Sequence, residues 1–545
     1  MPASAWARIA IGYNRRMTMR ESPASKPFLG LVVLVAAILL FANLGNVYLW
    51  QDEAETALLA RSVLTNGYPT AWDGKNLVTQ NAGLDSDEGR MWTWHSWLQF
   101  YLAAASFAMF GESTTAARLP FALIGLACVV LVYFLARRLT ENETVARIAT
   151  VLFLTSVPFL IHARQARWYA PAIAATIWVL YAYLKLQKAE RTATLQIVLA
   201  ALLLFHSNYL VFLATGAGIF LHLVYCALAH TERPATRALA IAAGATLALA
   251  FPWVLLIGRP TRVNVVEQSG LPFLGRMAPI LEALLVYANG YVFPLLLAPV
   301  VLWILARRAN DPRDAPRQGV ALLVLLVLAT FLVLVVQPWT WFRYMVGLLP
   351  VFAVLLALVV WEVWKRQRVL GFLALGLLVL TSLPSAALPA LDTRELHEQA
   401  YVSGRIRFDL MNYLYELTHD YDGPNEAIVE YLRQHGTKDD LVVALYGDLP
   451  IMFYTGMRVV DFSYAVGTVE RPDWIIPRHG GGRVTEEYLM RVGRDYQRIV
   501  LDAPDIRWGN RPDPAYHKFR TVRVGDPDGR QLKVGKVVLF HEPER

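Results

Sequence analysis

Eleven apolar runs, at residues 27–50, 119–136, 146–162, 168–186, 194–209, 210–229, 237–257, 278–305, 319–337, 343–363 and 369–389, follow one another with short charged breaks between them. Each approaches the ~20 residues that a helix needs to cross a bilayer. The chain therefore reads as a polytopic membrane protein, and its 56% hydrophobic and 17% charged residues leave far more apolar surface than a soluble fold requires. A net charge of +8 does not point to nucleic acid, because the Lys and Arg sit in short clusters between apolar runs and form no single basic face. Cys128 and Cys226 both fall inside apolar runs, where they pack as small hydrophobes and imply no disulfide framework.

Arg8, Arg15, Arg16, Arg20 and Lys26 precede the first run, which is longer than a signal-peptide core and lacks a small-residue cleavage site, so it reads as a retained span. One further segment, Ser96 to Phe110, has 15 residues and rises only ~22 Å as a helix, too short for a ~30 Å core. Charge decides its role. If it lies in the interface, the flanks assigned to the cytoplasm carry 20 Lys and Arg against 6 on the opposite short loops, as the positive-inside rule requires. If it spanned, every later cluster would change sides. The reading is therefore a cytoplasmic N-terminal tail (1–26), a membrane domain (27–389) with an outer loop at 50–117, and an outer C-terminal domain (390–545).

In that last region apolar runs shorten to strand length in LVVALYG (441–447), RIVLD (498–502) and KVVLF (536–540), with a helix-like NEAIVEYLRQHG before the first. The fold class is thus mainly α, a helical membrane domain of about eleven spans plus interfacial helices, carrying a small α/β domain.

Where the first run ends, WQDEAETALLARSVLTNG sets Asp52, Glu53 and Glu55 against the membrane surface. A capping box explains them without catalysis: Asp52 opens a helix, Glu55 stands three residues on, and Asn66-Gly67 stops it. An Asp at the membrane surface is also placed to take a proton from a hydroxyl. The rest of the outer loop carries Trp72, Trp92, Trp94 and Trp97 with Asp73, Asp85, Asp87, Glu88 and His95. An interfacial Trp belt accounts for the indoles, and sugar stacking accounts for them equally. DSDEGR lacks the spacing of a calcium loop, so no metal site is assigned and a divalent cation is not indicated. On the side that should be poor in positive charge lie His162, Arg164 and Arg167 in IHARQARWYAP, Arg259 and Arg262 in GRPTR, and Arg343 with Tyr344 in QPWTWFRYMVGLLP. Snorkelling to lipid headgroups is one explanation, and convergence on a phosphate is the other.

Four stretches carry a family resemblance: DEAETALLARSVLTNG, HSWLQFYLAAASFAMFGESTTAARLPFALIGLACVVLVYFLARRL, ARQARWYAPA and FRYMVGLLP. They resemble the GT-C membrane glycosyltransferases, in particular the dolichyl-phosphate-mannose-protein mannosyltransferase and lipid A aminoarabinose transferase group, and GDLPIMFYTGMRVV resembles the outer domain of bacterial members. The resemblance implies inverting transfer of a sugar from a polyprenyl-phosphate donor to an acceptor hydroxyl on lipid, protein or polysaccharide, at the outer face of the plasma membrane, with no cofactor required. It implies Asp52 as base with Glu53 as its neighbour, His95, Arg167, Arg343 and Tyr344 as donor-phosphate residues, and Trp94, Asp73 and Arg164 as sugar or acceptor contacts. Two positions depart from the family: His95-Ser96 replaces a Lys-Pro-Pro-like start of the short helix, and Glu55 stands where the aminoarabinose enzymes tend to carry Arg. The second departure favours a general polyprenyl-phosphate sugar transferase over a lipid A enzyme. A lipid-linked sugar transporter or flippase, or an inactive scaffold, are the alternative classes. Inverted repeats and broken mid-membrane helices, which a transporter would need, are not visible, and the polar residues concentrate at the outer surface instead of the bilayer midplane.

Overall fold

The computed structural model describes residues 25–187, 190, 192–229, 236–257, 273–307, 315–337, 341–391, 406–421, 423–462, 465, 471–478, 482–492, 495–506, 510–512, 514 and 535–542. The N-terminal cations up to Arg20 and the Arg259–Arg262 cluster lie outside these residues.

Among the described residues six helices are long and apolar enough to cross a membrane: Thr114–Thr140, Tyr169–Gln187, Tyr209–Leu228, Thr236–Ile257, Gln318–Val335 and Phe342–Arg366. The runs at 146–162 and 278–305, each read from sequence as one straight span, are instead bent. Glu143–Leu154 and Val157–Ala163 meet at 62°, and Gly275–Val292 and Leu295–Ala306 at 88°. Proline explains both breaks, since Pro158 opens the second helix of the first pair and Pro294 stands in the gap of the second, and neither offers an N–H to continue the ladder. Shorter apolar helices occupy Ser25–Phe41, Leu98–Phe110, Ala193–Ser207 and Arg368–Leu380. Large side chains such as Leu31, Leu34 and Ile38 stay exposed on these helices, as a lipid-facing surface allows and an aqueous one does not. Cys128 and Cys226 are free and buried.

Two turns shape the segment between the first apolar helix and Thr114–Thr140. Gln51–Asn66 stops at Gly67, whose φ of 81° suits glycine and whose N–H bonds Val63 O at 2.9 Å. Leu98–Phe110 stops at Gly111, φ 76°, and Ser113 then caps Thr114–Thr140 by accepting from Ala116 N at 3.1 Å. The short Leu98–Phe110 helix rises about 20 Å, and it packs on both neighbours.

The C-terminal α/β unit holds a five-stranded sheet of β1 (Leu441–Ala444), β2 (Arg458–Asp461), β3 (Trp474–Ile476), β4 (Gln497–Pro504) and β5 (Lys536–His541) in the order β2-β1-β3-β5-β4. β1 runs parallel to β2 and β3, and β5 is antiparallel to β3 and β4. The three apolar runs read as strands lie in β1, β4 and β5, and the helix before them is Pro424–His435.

This unit sits directly on the chain that leads into Gln51–Asn66. Glu426 Oε1 accepts from Tyr48 N at 2.6 Å, the Tyr454 hydroxyl accepts from Leu49 N at 2.8 Å, and Gln51 Nε2 donates to Asp448 Oδ1 at 2.6 Å. Backbone groups just before the helix are thus satisfied by side chains almost 400 residues away in sequence.

Candidate active site

The Gln51–Asn66 helix ends at Gly67 as read from sequence, but the capping box expected at its start does not form. Trp50 holds the N-cap position and makes no side-chain cap bond; Asp52 and Glu53 fall inside the first turn, where the helix dipole favours acids. Twelve of its sixteen residues, from Gln51 to Val63, are buried between the membrane helices and the C-terminal unit. Glu55 does not cap either. It pairs with Arg167, Oε1 to Nη1 2.7 Å, and accepts from Gln80.

Asp52 lies at the centre of a cationic cluster. Its Oδ2 is 3.6 Å from Arg167 Nη2 and 3.8 Å from Arg343 Nη2, both beyond hydrogen-bond reach, so the guanidiniums face the carboxylate without bonding it, while Arg167 Nη1 donates to the backbone Asp52 O at 2.9 Å. Burial alone would raise the Asp52 pKa, but Arg343, Arg167 and Arg511 overcome that and hold the carboxyl below the usual aspartate range. Burial pushes Glu55 the other way, up to about 7, against the pull of Arg167 and with the Asp52 charge adding to the rise. Two carboxyls one helical turn apart are thereby separated in proton affinity. His95 joins this group, its Nε2 3.6 Å from Glu55 Oε1 and 3.3 Å from Arg167 Nη2.

The other predicted residues divide. Glu53 is engaged by Arg118 through two bonds, 2.8 and 2.7 Å, and accepts from Ala166 N at 2.8 Å. Arg118 is the Arg of the F-G-E-S-x-x-x-A-R-L-P stretch, so that motif's charge is directed at Glu53. Arg164 donates to the Tyr413 hydroxyl at 2.9 Å and to Ala42 O and Asn43 O at 2.7 and 2.9 Å, tying the first helix to the segment before the C-terminal unit. Asp73 is exposed and accepts from Lys75 N and Asn76 N, closing its own turn. Tyr344 lies against Trp168, rings 6.5 Å apart and nearly parallel, beside a small cavity with Thr176 and Val211. Trp94 meets His95 edge-on at 6.4 Å. The loop acids are spent locally: Asp85 accepts from Thr79 Oγ1 and three amide nitrogens of Gln80 and Asn81, and Asp87 from Met91 N. Among the described residues no group of three or more His, Cys, Asp or Glu side chains is placed to hold a metal ion.

Sequence reading missed Gln80, Trp50, Trp341 and Arg511. Trp50 and Trp341 flank Arg343, 5.8 and 5.4 Å from its guanidinium, and Arg511 stacks on the same two rings at 5.2 and 4.4 Å. Trp341 stands two residues before Arg343, in a motif already singled out. Arg511 had no local signal, because the tail lies far away in sequence and matches only weakly.

Residues 95–257 match the family described as dolichyl-phosphate-mannose-protein mannosyltransferase. No curated protein matches the chain significantly. In overall structure it is similar to ArnT from Cupriavidus metallidurans in the apo state, with 15% identity, TM-score 0.60, and 96% of this chain and 100% of that chain covered. The same enzyme bound to undecaprenyl phosphate matches at 15% identity and TM-score 0.56, over 85% and 88%. The archaeal oligosaccharyltransferase AglB of Archaeoglobus fulgidus, in complex with an inhibitory peptide and a dolichol-phosphate, matches at 13% identity and TM-score 0.52, over 87% and 69%. The chain therefore has a polytopic helical membrane architecture with an ArnT-like fold, and over residues 95–257 it resembles that mannosyltransferase family.

Proposed function

We propose that this protein transfers a sugar from a polyprenyl-phosphate donor to an acceptor hydroxyl at the outer face of the plasma membrane, with inversion. The observation that carries the reading is the buried Asp52 carboxylate faced by Arg167 and Arg343 at 3.6 and 3.8 Å. The acceptor oxygen attacks the anomeric carbon, the bond from that carbon to the phosphate oxygen breaks, Asp52 takes the hydroxyl proton, and polyprenyl phosphate leaves as an anion. Arg167 and Arg343 stabilise the phosphate charge as it develops, and His95 borders the same site.

A carboxylate held below its usual pKa is a poor base while two guanidiniums face it. The long contacts to the Asp52 carboxylate are what permit a change: neither arginine is hydrogen-bonded to that carboxylate, although Arg167 Nη1 is held by Asp52 O and Glu55, and a phosphate drawing the guanidiniums restores Asp52's proton affinity. Glu53 serves as a structural anchor beside it. The related ArnT and AglB structures hold polyprenyl or dolichyl phosphates, which supports a lipid-linked donor. In this reading the N-terminus is cytoplasmic, and residues 50–117 and the C-terminal domain lie outside.

Purified protein given a labelled polyprenyl-phosphate sugar and an acceptor extract is expected to consume the donor, and Asp52→Asn to abolish consumption while remaining folded. Equal turnover in the mutant removes Asp52 from the mechanism. Movement of intact donor across a vesicle, without sugar release, would establish the flippase instead.

A further inference from the structure

We propose that Arg511, delivered by the C-terminal α/β domain, is a third ligand of the donor phosphate, so that the domain completes the binding site and does not merely cover it. The proposal rests on the donor site placed above at Arg167 and Arg343. Arg511 is 3% exposed, and its guanidinium lies over the Trp341 and Trp50 rings at 4.4 and 5.2 Å. The same two indoles carry Arg343, so the two guanidiniums share one aromatic cradle. Stacking engages the face of a guanidinium, not its in-plane donors, which is how an arginine is held rigid and still presents a fork to a phosphate.

The segment is fixed on both sides of Arg511. Before it, Asn510 Nδ2 donates to Glu426 Oε1 and Oε2 at 2.9 and 2.7 Å. After it, Pro512 O accepts from Gln165 Nε2 at 2.5 Å, and Gln165 Oε1 accepts from the Trp50 indole N–H at 3.2 Å. Gln165 belongs to the ARQAR motif that supplies Arg167. One motif thus places a phosphate-facing arginine, one wall of the cradle and the backbone next to Arg511. Domain docking is already carried by Gln51, Asn425, Glu426 and Tyr454, so a buried third arginine is not needed to hold the domain in place.

The test is binding of farnesyl phosphate, a short polyprenyl phosphate, to the full-length protein in nanodiscs. Wild type and Arg498→Gln, a charge change on the exposed face of β4, are expected to bind alike. Arg511→Gln is expected to weaken binding by about tenfold or more, with Arg511→Lys intermediate because it keeps the charge but loses the planar fork. Wild-type affinity in a folded Arg511→Gln overturns the proposal. Should that variant not fold, a cryo-EM structure of the wild type with farnesyl phosphate decides: a phosphate within hydrogen-bond distance of Arg511 supports it, and one bound by Arg167 and Arg343 alone overturns it. Failure of the folded wild type to bind farnesyl phosphate at all would sink the donor-site reading itself, a result distinct from a loss confined to Arg511.

Discussion

Arg118 and Glu53 face each other through two bonds, Nε to Oε1 at 2.8 Å and Nη2 to Oε2 at 2.7 Å, both side chains buried and one residue along from Asp52. Adjacent acids on one helix thereby take different work: Glu53 is neutralised inside the protein, and Asp52 is left facing two longer contacts. Arg118 also donates to Leu44 O and Val47 O, so the pair fixes the entry into the helix as well.

Removing one member of a buried ion pair leaves the other uncompensated, at a cost of about 3–5 kcal/mol. Glu53→Ala and Arg118→Ala are each expected to lower the thermal unfolding midpoint sharply, whereas Asp52→Asn, which keeps the side chain's shape and breaks no carboxylate hydrogen bond to an arginine, lowers it less and removes at least about a hundredfold in turnover. Intrinsic Trp fluorescence in detergent, followed with temperature, reads the first. An intact midpoint in Glu53→Ala would contradict the structural role given to that residue.

Gln165 bridges the Trp50 indole and the Pro512 carbonyl. Gln165→Ala loses both bonds and leaves the buried Trp50 indole N–H unmet, about 1–3 kcal/mol, and the loss falls on the contact between membrane helices and C-terminal domain. Limited proteolysis should then release C-terminal fragments faster than from wild type at the same temperature. Unchanged protection would mean that the remaining interdomain bonds carry the docking.

Glu55, raised to about 7 by burial, predicts a pH dependence of donor affinity. Below that value Glu55 is neutral and Arg167 loses its charged competitor, so an anionic ligand binds more tightly; above it the Glu55 charge returns and affinity falls. A phosphodiester donor analogue keeps its own charge constant from pH 5.5 to 8.5, and titrating it across that range should show the fall near neutrality. Glu55→Gln is expected to flatten the profile, and a wild-type profile that is already flat would remove Glu55 from control of Arg167.

Two acids at the domain contact predict how stability responds to pH. Burial pushes Glu426 up to about 7, and burial with the Asp461 charge pushes Asp448 up to about 8. Folded-state values above those of the unfolded chain mean that the native form holds protons the unfolded form has released, so stability falls as pH rises from the ordinary carboxylate range through 7 to 8. The slope is at most about 1.4 kcal/mol per pH unit for each group. Unfolding midpoints measured from pH 5 to 9 should drop across this window, and Asp448→Asn should reduce the drop.

The membrane helices were legible because their physics is local. A run of apolar residues meets lipid wherever it falls, proline interrupts a helix by lacking one N–H, and Gly67 and Gly111 end helices by their own backbone freedom. Strands β1, β4 and β5 of the C-terminal sheet were legible for the same reason, whereas the short β2 and β3 were not read. The bends at Pro158 and Pro294 were equally local signals, passed over when each run was taken as straight.

The fates of the three acids were not local. Sequence alone placed Asp52, Glu53 and Glu55 at the membrane surface and matched them to a family, but spacing suggested a capping box that does not form. Which carboxylate is paired, which is half-protonated near neutral pH and which faces the arginines depends on Arg118, Arg167, Arg343 and Arg511, brought to one helix from four distant points in the chain. Apolar patterning is set by each segment's own contact with lipid or core, whereas the charge state and partner of a buried acid are set by whatever the folded chain places against it, and that only the tertiary structure decides.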